Sequence, residues 1–127
     1  MGNAFSLEGI HLPDNVMLDL GIVIVNYNVR DLLRECLASV YDSRGEMAFE
    51  VCVVDNGSMD GSADMVADEF PQVKLIRAEN RGYAAGNNLG LRAFGFGQTG
   101  EAVSPQCRYA LLLNPDTVLP PSALSDM

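Results

Sequence analysis

The stretch LGIVIVN at residues 20–26 is a short run, rich in β-branched residues, that is apolar on both faces. This pattern is typical of a strand in a parallel sheet covered by helices on both sides, because neither face of the strand then meets water. Residues 50–55 (EVCVVD), 73–77 (VKLIR) and 109–113 (YALLL) are predicted to form three more strands.

Helices are predicted between these strands. Asn28 is a suitable N-cap for the first helix, with Asp31 at the third helical position as in a capping box. Asp60 or Ser62 is a suitable cap for the second helix, which ends at Phe70 because the proline that follows cannot continue it.

The third helix is predicted over residues 83–94, and a glycine-rich loop at 95–108 leads to the last strand. The order β-α-β-α-β-α-β predicts an α/β fold, with a mostly parallel, Rossmann-like sheet and helices on both faces. Right-handed crossovers place the carboxyl ends of all strands at one edge, where open sheets of this kind bind ligands.

Polar residues gather at that predicted edge. One polar strand end needs no explanation, but four converging ends predict a ligand site. The residues are Asn26, Tyr27 and Asn28; Asp55 and Asn56; Glu79, Asn80 and Arg81; and Asn114 and Asp116.

Two of these positions have a structural and a functional interpretation. Asp55 is either part of an Asx-turn or, with Asn56, a carboxylate and amide pair for the polar edge of a base or a ribose. The sequence Asn114-Pro115-Asp116 is either an ordinary turn or a device that exposes Asp116 to a metal and its phosphates.

Glycines at 82, 86 and 90 recur through the third predicted helix, where each costs roughly 1 kcal/mol relative to alanine. Close packing of the helix on the sheet is the preferred explanation for Gly90. Gly82 is predicted to begin the helix at the ligand edge, where backbone N–H groups beside Arg81 suit an anion.

The charge of the chain disfavours a polyanionic partner. The 127 residues carry a net charge of -9 and their basic residues are scattered, so we expect no nucleic acid partner.

Neither a GxGxxG fingerprint nor a P-loop is present. The single histidine, His11, leaves no serine or cysteine and histidine arrangement for acyl transfer.

Residues 1–19 have weak periodicity and are predicted to form a poorly ordered leader ahead of one domain at 20–127. The leader lacks the basic start and apolar segment of a secretory signal, and no apolar run near it could span a bilayer. We therefore expect a cytoplasmic protein without a transmembrane segment. Three widely spaced cysteines are expected to be free, reduced thiols.

Four stretches, taken in order, resemble the family 2 glycosyltransferases with the GT-A fold. They are IVIVNYN, VCVVDNGSMDGS, FPQVKLIRAENRGYAAGNNLGLRA and YALLLNPDT, and the resemblance covers about residues 20–125. The variants VDNGS and LNPD are most similar to the rhamnosyltransferase-like branch, which builds bacterial polysaccharides, often from deoxythymidine-diphosphate-rhamnose.

The resemblance assigns roles to the strand-end residues. Asn26 and Tyr27 match the floor of the donor pocket, Asp55 with Asn56 matches the turn that holds base and ribose, and Arg81 lies where the family contacts the nucleotide. The turn at 114–116 matches the DxD motif, which holds a divalent cation on the diphosphate. Asp116 is the expected ligand of Mg²⁺ or Mn²⁺, whereas Asn114 could ligate only through an uncharged carbonyl oxygen.

The resemblance also implies the reaction. In the family, a separate Asp or Glu deprotonates an acceptor hydroxyl that attacks the sugar with inversion, and this base is expected beyond Met127. We therefore interpret residues 20–127 as the donor-binding half of a GT-A domain that is incomplete at its C-terminus and inactive alone. Its partners would be a dTDP- or UDP-sugar and a saccharide acceptor, and the full-length protein could lie at the periphery of the inner membrane.

Three alternatives stay open from the residues alone. A sugar nucleotidyltransferase would want a glycine-rich loop after the first strand, but NYNVRDLL has no glycine. A receiver-like signalling domain would need clustered acids where Asn26 stands. A non-catalytic assembly domain is separated from the favoured interpretation only by a binding test.

Overall fold

A computed structural model describes residues 18–43, 47–97 and 106–124 of the chain. The elements alternate as predicted. They are β1 (Leu18–Asn26), α1 (Arg30–Asp42), β2 (Phe49–Asp55), α2 (Ser62–Glu69), β3 (Lys74–Arg77), α3 (Tyr83–Ala93) and β4 (Cys107–Leu113).

The four strands form one parallel sheet in the order β3-β2-β1-β4. From β1 the chain moves to β2 and then β3 in one direction, and it returns to pair β4 with the other side of β1. Right-handed crossovers in opposite directions place their helices on opposite faces of a sheet. The predicted parallel α/β sheet with helices on both faces is therefore confirmed.

Two apolar cores lie on the two faces of the sheet. Ile22 and Ile24 of β1 pack with Leu33 and Leu37 of α1 in the first core, which also includes Val66 of α2. The second core contains alternate strand residues and the end of α3, namely Val23, Val25, Cys52, Val54 and Phe94. Successive strand side chains point to opposite faces, so β1 is apolar throughout because each face has its own core.

The first and last strands along the chain are longer than predicted. β1 begins at Leu18 rather than Leu20, and β4 begins at Cys107 rather than Tyr109, because Leu18 and Cys107 already pair in register. Their polar neighbours Asp19 and Arg108 interrupt the apolar pattern but not the backbone ladder. The predicted leader otherwise falls on residues 1–17, which lie outside the described residues, as does most of the glycine-rich loop.

The prediction that Asn28 caps α1 is wrong. Val29 is the N-cap residue, and Asn28 has a left-handed backbone with a φ of 53°. The carboxylate of Asp60, from the loop before α2, accepts the backbone N–H of Arg30 at 2.9 Å. The capping-box role of Asp31 is also absent, since its carboxylate pairs with Arg30 and Arg34.

For the second helix, the prediction of Asp60 or Ser62 as the N-cap residue is wrong. Gly61 holds the N-cap position, and Asp60 accepts hydrogen bonds from the backbone N–H and the hydroxyl of Ser62. The helix ends as predicted, with Phe70 as its C-cap.

No helix in the described ranges has both the length and the apolar composition that crossing a membrane requires.

Glycine lets α3 approach the sheet closely. A Cβ atom on Gly90 would overlap Cγ1 of Val23 and lie 3.0 Å from its Cγ2, and one on Gly86 would lie 2.8 Å from Cγ1 of Val25. Val23 is fully buried, so it has little room to move. These distances support the close-packing explanation for Gly90.

We predict that Gly90→Ala lowers the free energy of unfolding by about 1–3 kcal/mol through overpacking, measured by urea denaturation. Without the clash, the same change in a helix interior would raise it by roughly 1 kcal/mol. Val23→Ala provides the control, because Gly90→Ala should cost much less in that background. Stabilisation by Gly90→Ala in the unaltered chain would contradict the packing described here.

Candidate functional site

The carboxyl ends of all four strands meet at one edge of the sheet. Asn26 of β1 pairs in register with Asp55 of β2, and Asp55 pairs with Arg77 of β3. The strand order reverses between β1 and β4, and a crevice at such a reversal is where open α/β sheets bind ligands. Asn114 follows β4 directly at this reversal.

The Asp55 carboxylate is buried and held by neighbouring donors. Its Oδ1 accepts hydrogen bonds from Asn26 Nδ2 at 3.0 Å and from the Ser58 hydroxyl at 2.7 Å. Its Oδ2 accepts the backbone N–H of Ser58 at 3.0 Å. Two carboxylate oxygens offer about four acceptor positions, so Oδ2 keeps one position that no described residue fills. The Asp55 carboxylate thus makes a local bond to the backbone N–H three residues on, rather than two as in an Asx-turn, and this bond also orients the carboxylate.

Ser58 connects Asp55 to the end of β1, and sequence reasoning missed it. Besides its bonds to Asp55, its hydroxyl accepts the backbone N–H of Asn28 at 2.9 Å and lies 3.3 Å from Asn26 Nδ2. A polar residue three positions after a strand-end Asp, with a glycine between them, is the signal that could have indicated it.

Further bonds join the loop after β1 to the loop after β2. The side-chain oxygen of Asn28 accepts the backbone N–H of Met59 at 2.7 Å. Arg30 donates its backbone N–H to the Asp60 carboxylate and its guanidinium Nη1 to the Asp60 carbonyl oxygen, at 2.9 and 3.2 Å. The two loops therefore form one rigid wall of the edge.

Two buried side chains near this region carry an oxygen without a partner. Among the described residues, Oδ1 of Asn26 and Oδ1 of Asn87 accept no hydrogen bond. Asn26 is fully buried beneath the loop wall, and Asn87 lies on the buried side of α3. Buried polar atoms are ordinarily paired, so the unpaired Oδ1 of Asn26 beside Asp55 is an exception, although it lies beneath the surface.

Asn56 and Gly82 join the end of β2 to the start of α3. The buried Asn56 side chain donates Nδ2 to the Gly82 carbonyl oxygen at 3.3 Å. Gly82 is the N-cap residue, with a φ of 97° that favours glycine, and its own N–H donates to the side chain of Asn80 at 3.0 Å. The N–H of Gly82 is therefore already occupied.

Tyr27 and Arg81 are more exposed than the buried part of the edge. The Arg81 guanidinium pairs with Glu79 at 2.9 Å, and the two side chains are 76% and 80% exposed. Tyr27 is half exposed. The described contacts therefore do not join either side chain to Asp55 or to the turn after β4.

The turn after β4 exposes a carboxylate. The Thr117 N–H donates to the Asn114 carbonyl oxygen at 3.1 Å, which closes a β-turn with Pro115 at its second position. Asp116 is exposed and has no hydrogen bond or ion pair with any described residue. Burial, and then the charge of Asp116, raises the pKa of the Cys36 thiol to about 11. This geometry is compatible with an ordinary turn and also with a turn that exposes Asp116 to a metal.

A divalent cation at this turn would have few protein ligands. The described residues contain no group of three or more His, Cys, Asp or Glu side chains that could hold a metal. Mg²⁺ is commonly held by one or two carboxylates together with substrate phosphates and water. The single open carboxylate of Asp116 fits such a cation if phosphates supply other ligands.

The sequence matches the family model described as Glycosyl transferase family 2 over residues 21–127. It is 38% identical over 74 residues to YfnE of Bacillus subtilis (strain 168), an uncharacterized glycosyltransferase, covering 56% of this chain and 19% of that protein. The chain therefore spans about a fifth of that relative.

Solved glycosyltransferase structures with the GT-A fold share the architecture. TarS 1-349 from S. aureus, in complex with UDP-GlcNAc, superposes with a TM-score of 0.66 at 19% identity, over 86% of this chain and 30% of that one. The mannosyltransferase PcManGT from Pyrobaculum calidifontis, in complex with GDP-Man and Mn²⁺, gives 0.63 at 22% identity, over 90% and 32%. At these identities the likeness shows the fold.

We predict that Ser58→Ala lowers the free energy of unfolding by about 1–3 kcal/mol, because the Asn28 N–H and one Asp55 oxygen lose a partner. Ser58→Thr keeps the hydroxyl and should recover most of the loss. Guanidinium denaturation of both variants measures the difference. Equal stability of Ser58→Ala and the unaltered chain would show that Ser58 does not hold the loop wall together.

Proposed function

Because this chain belongs to glycosyl transferase family 2, we propose that it binds the nucleoside-diphosphate-sugar donor of an inverting enzyme. The transferred sugar is proposed to be rhamnose, and the acceptor a saccharide in polysaccharide synthesis. The proposed location is the cytoplasm, at the periphery of the inner membrane for the longer protein. Family membership decides against the sugar nucleotidyltransferase and the receiver-like domain.

The observation that carries the proposal is that the same edge of the sheet holds two carboxylates in different surroundings. Asp55 is buried, and Asp116 is exposed. Asp55 is buried and oriented, with one acceptor position left on Oδ2. A ribose hydroxyl or a base N–H is a suitable donor for that position, because neither brings a charge that would have to be buried. Asn26 is proposed to form the floor of the pocket, where its Nδ2 holds the Asp55 carboxylate in place.

Asp116 is proposed to bind the cation at the other side of the crevice. The chain carries a net charge of -9, so a diphosphate without a counterion would be repelled. When bound, Mg²⁺ or Mn²⁺ would neutralise the diphosphate and stabilise it as a leaving group. Asp116 has no partner within the described ranges, so its carboxylate can turn to the cation without losing a contact.

Tyr27, Asn56, Arg81, Gly82 and Asn114 are proposed to complete the donor pocket. Arg81 is exposed and paired only with Glu79, so it could exchange this partner for a phosphate at little cost. A dTDP- or UDP-sugar is the proposed donor.

Transfer itself is proposed to need residues outside this segment. The chain covers 19% of YfnE and 30% of TarS 1-349, so the acceptor site and the general base are assigned to the remaining part of such proteins. For these 127 residues we propose donor binding without transfer.

Calorimetry with UDP and with deoxythymidine diphosphate tests the proposal. Both nucleotides should be compared with Mn²⁺ present and in a chelator, and one of them should bind more tightly with Mn²⁺. Asp116→Asn should reduce the Mn²⁺-dependent gain by roughly ten- to a hundredfold, the loss of a charge-assisted contact of about 1.5–3 kcal/mol.

Asp68→Asn is the matched control, because Asp68 is exposed on α2 and its loss changes the net charge equally. It should leave the Mn²⁺ dependence unaltered. Equal binding in the chelator would remove the cation from the proposal. Absence of binding for both nucleotides would favour an assembly domain instead.

A further inference from the structure

Asn114 stands where the resemblance expects the first carboxylate of a cation-binding motif, and its oxygens already have partners. The Tyr83 hydroxyl donates to Asn114 Oδ1 at 3.1 Å. The backbone oxygen of Asn114 accepts the N–H of Thr117 at 3.1 Å and faces the Cys36 thiol at 3.7 Å. Both carbonyl groups of this residue are therefore engaged by donors.

The Nδ2 atom of Asn114, unlike its two oxygens, is free within the described ranges to form hydrogen bonds. Asn114 is exposed, and its Nδ2 has no hydrogen-bond partner among the described residues. An amide that directs its oxygen to a phenol directs its two N–H donors to the other side, because the group is planar. In the orientation described, the Tyr83 hydroxyl occupies Oδ1 and leaves Nδ2 as the end of the Asn114 amide without a partner among the described residues.

We propose that Asn114 donates a hydrogen bond from Nδ2 to a diphosphate oxygen of the donor, and that Tyr83 is the positioning residue that holds the amide in this orientation. This inference rests on the proposed function. It assigns cation binding to Asp116 alone and gives Asn114 a role that a carboxylate could not fill.

Charge favours this assignment. An aspartate at position 114 could still accept the Tyr83 hydroxyl, but its second oxygen would present negative charge where the amide presents N–H groups. In a chain with a net charge of -9, that oxygen would repel a diphosphate unless a cation lay between them. The amide attracts the phosphate oxygen directly, with or without the cation.

A purely structural role for the Tyr83–Asn114 bond predicts a different result. The Tyr83 side chain is half exposed and the bond joins α3 to the end of β4, so its loss could lower stability alone. Nucleotide affinity in a chelator separates the two cases. Stability does not enter that measurement, provided that each variant is folded at the temperature used.

The experiment is a titration of UDP and deoxythymidine diphosphate into the 127-residue chain, in a chelator and in Mn²⁺. Asn114→Asp and Asn114→Ala should weaken binding in the chelator by about ten- to a hundredfold, as expected for a bond to a charged oxygen. Tyr83→Phe should weaken it by about two- to tenfold, because the amide remains but is free to rotate. In the Ala and Phe variants, the factor by which Mn²⁺ tightens binding should be unchanged.

Tyr109→Phe is the matched control, since Tyr109 is an exposed tyrosine on β4, and it should bind as the unaltered chain does. A direct readout is the side-chain amide resonance of Asn114, which should shift when UDP is added in the chelator. In Tyr83→Phe this resonance should differ before any nucleotide is added.

Three results would overturn the inference. If Asn114→Ala keeps its affinity in the chelator but loses the Mn²⁺ gain, Asn114 is a cation ligand. If the variants only lower the melting temperature, the Tyr83–Asn114 bond is structural. If the unaltered chain binds neither nucleotide, the proposed function fails and the inference fails with it, an outcome visible before any variant is measured.

Discussion

The burial of β1 on both faces and its pairing on both edges is the constraint on which the rest of the structure depends. Its central residues, Ile22, Val23 and Ile24, have no exposed surface, and β1 pairs with β2 on one side and β4 on the other. Every polar group at the carboxyl edge is placed relative to this strand. A change that shifts β1 would displace Asp55 and Asn114 together.

The edge combines a rigid side and an open side. Asp55 is nearly fully buried, and a buried carboxylate needs several donors, which Asn26 and Ser58 provide. Asp116 and Asn114 lie on an exposed turn, with a free carboxylate and a free amide nitrogen within the described ranges. This division suits a ligand with an uncharged nucleoside end and a charged diphosphate end.

Solved structures share the fold of this chain at low sequence identity, so the fold and the choice of ligand depend on different residues. TarS and PcManGT share the fold at 19% and 22% identity, because many sequences satisfy the same alternation of buried strands and amphipathic helices. These two structures are complexes with UDP-GlcNAc and with GDP-Man, so the shared fold does not select a nucleotide. The choice of donor has to come from side chains at the edge of each protein.

The sequence alone determined the elements, the parallel class of the sheet and the set of polar strand ends, because these follow from local periodicity and from the handedness of crossovers. Only the tertiary structure decided which side chains hydrogen-bond to each other. Asn28 does not cap α1, because its side-chain oxygen accepts the backbone N–H of Met59. The first backbone N–H of α1 is instead bonded by the Asp60 carboxylate, from the loop before α2. The Tyr83–Asn114 bond likewise joins residues that are distant in the chain. Such bonds form only after sheet pairing brings the loops together, and no spacing within either loop encodes them.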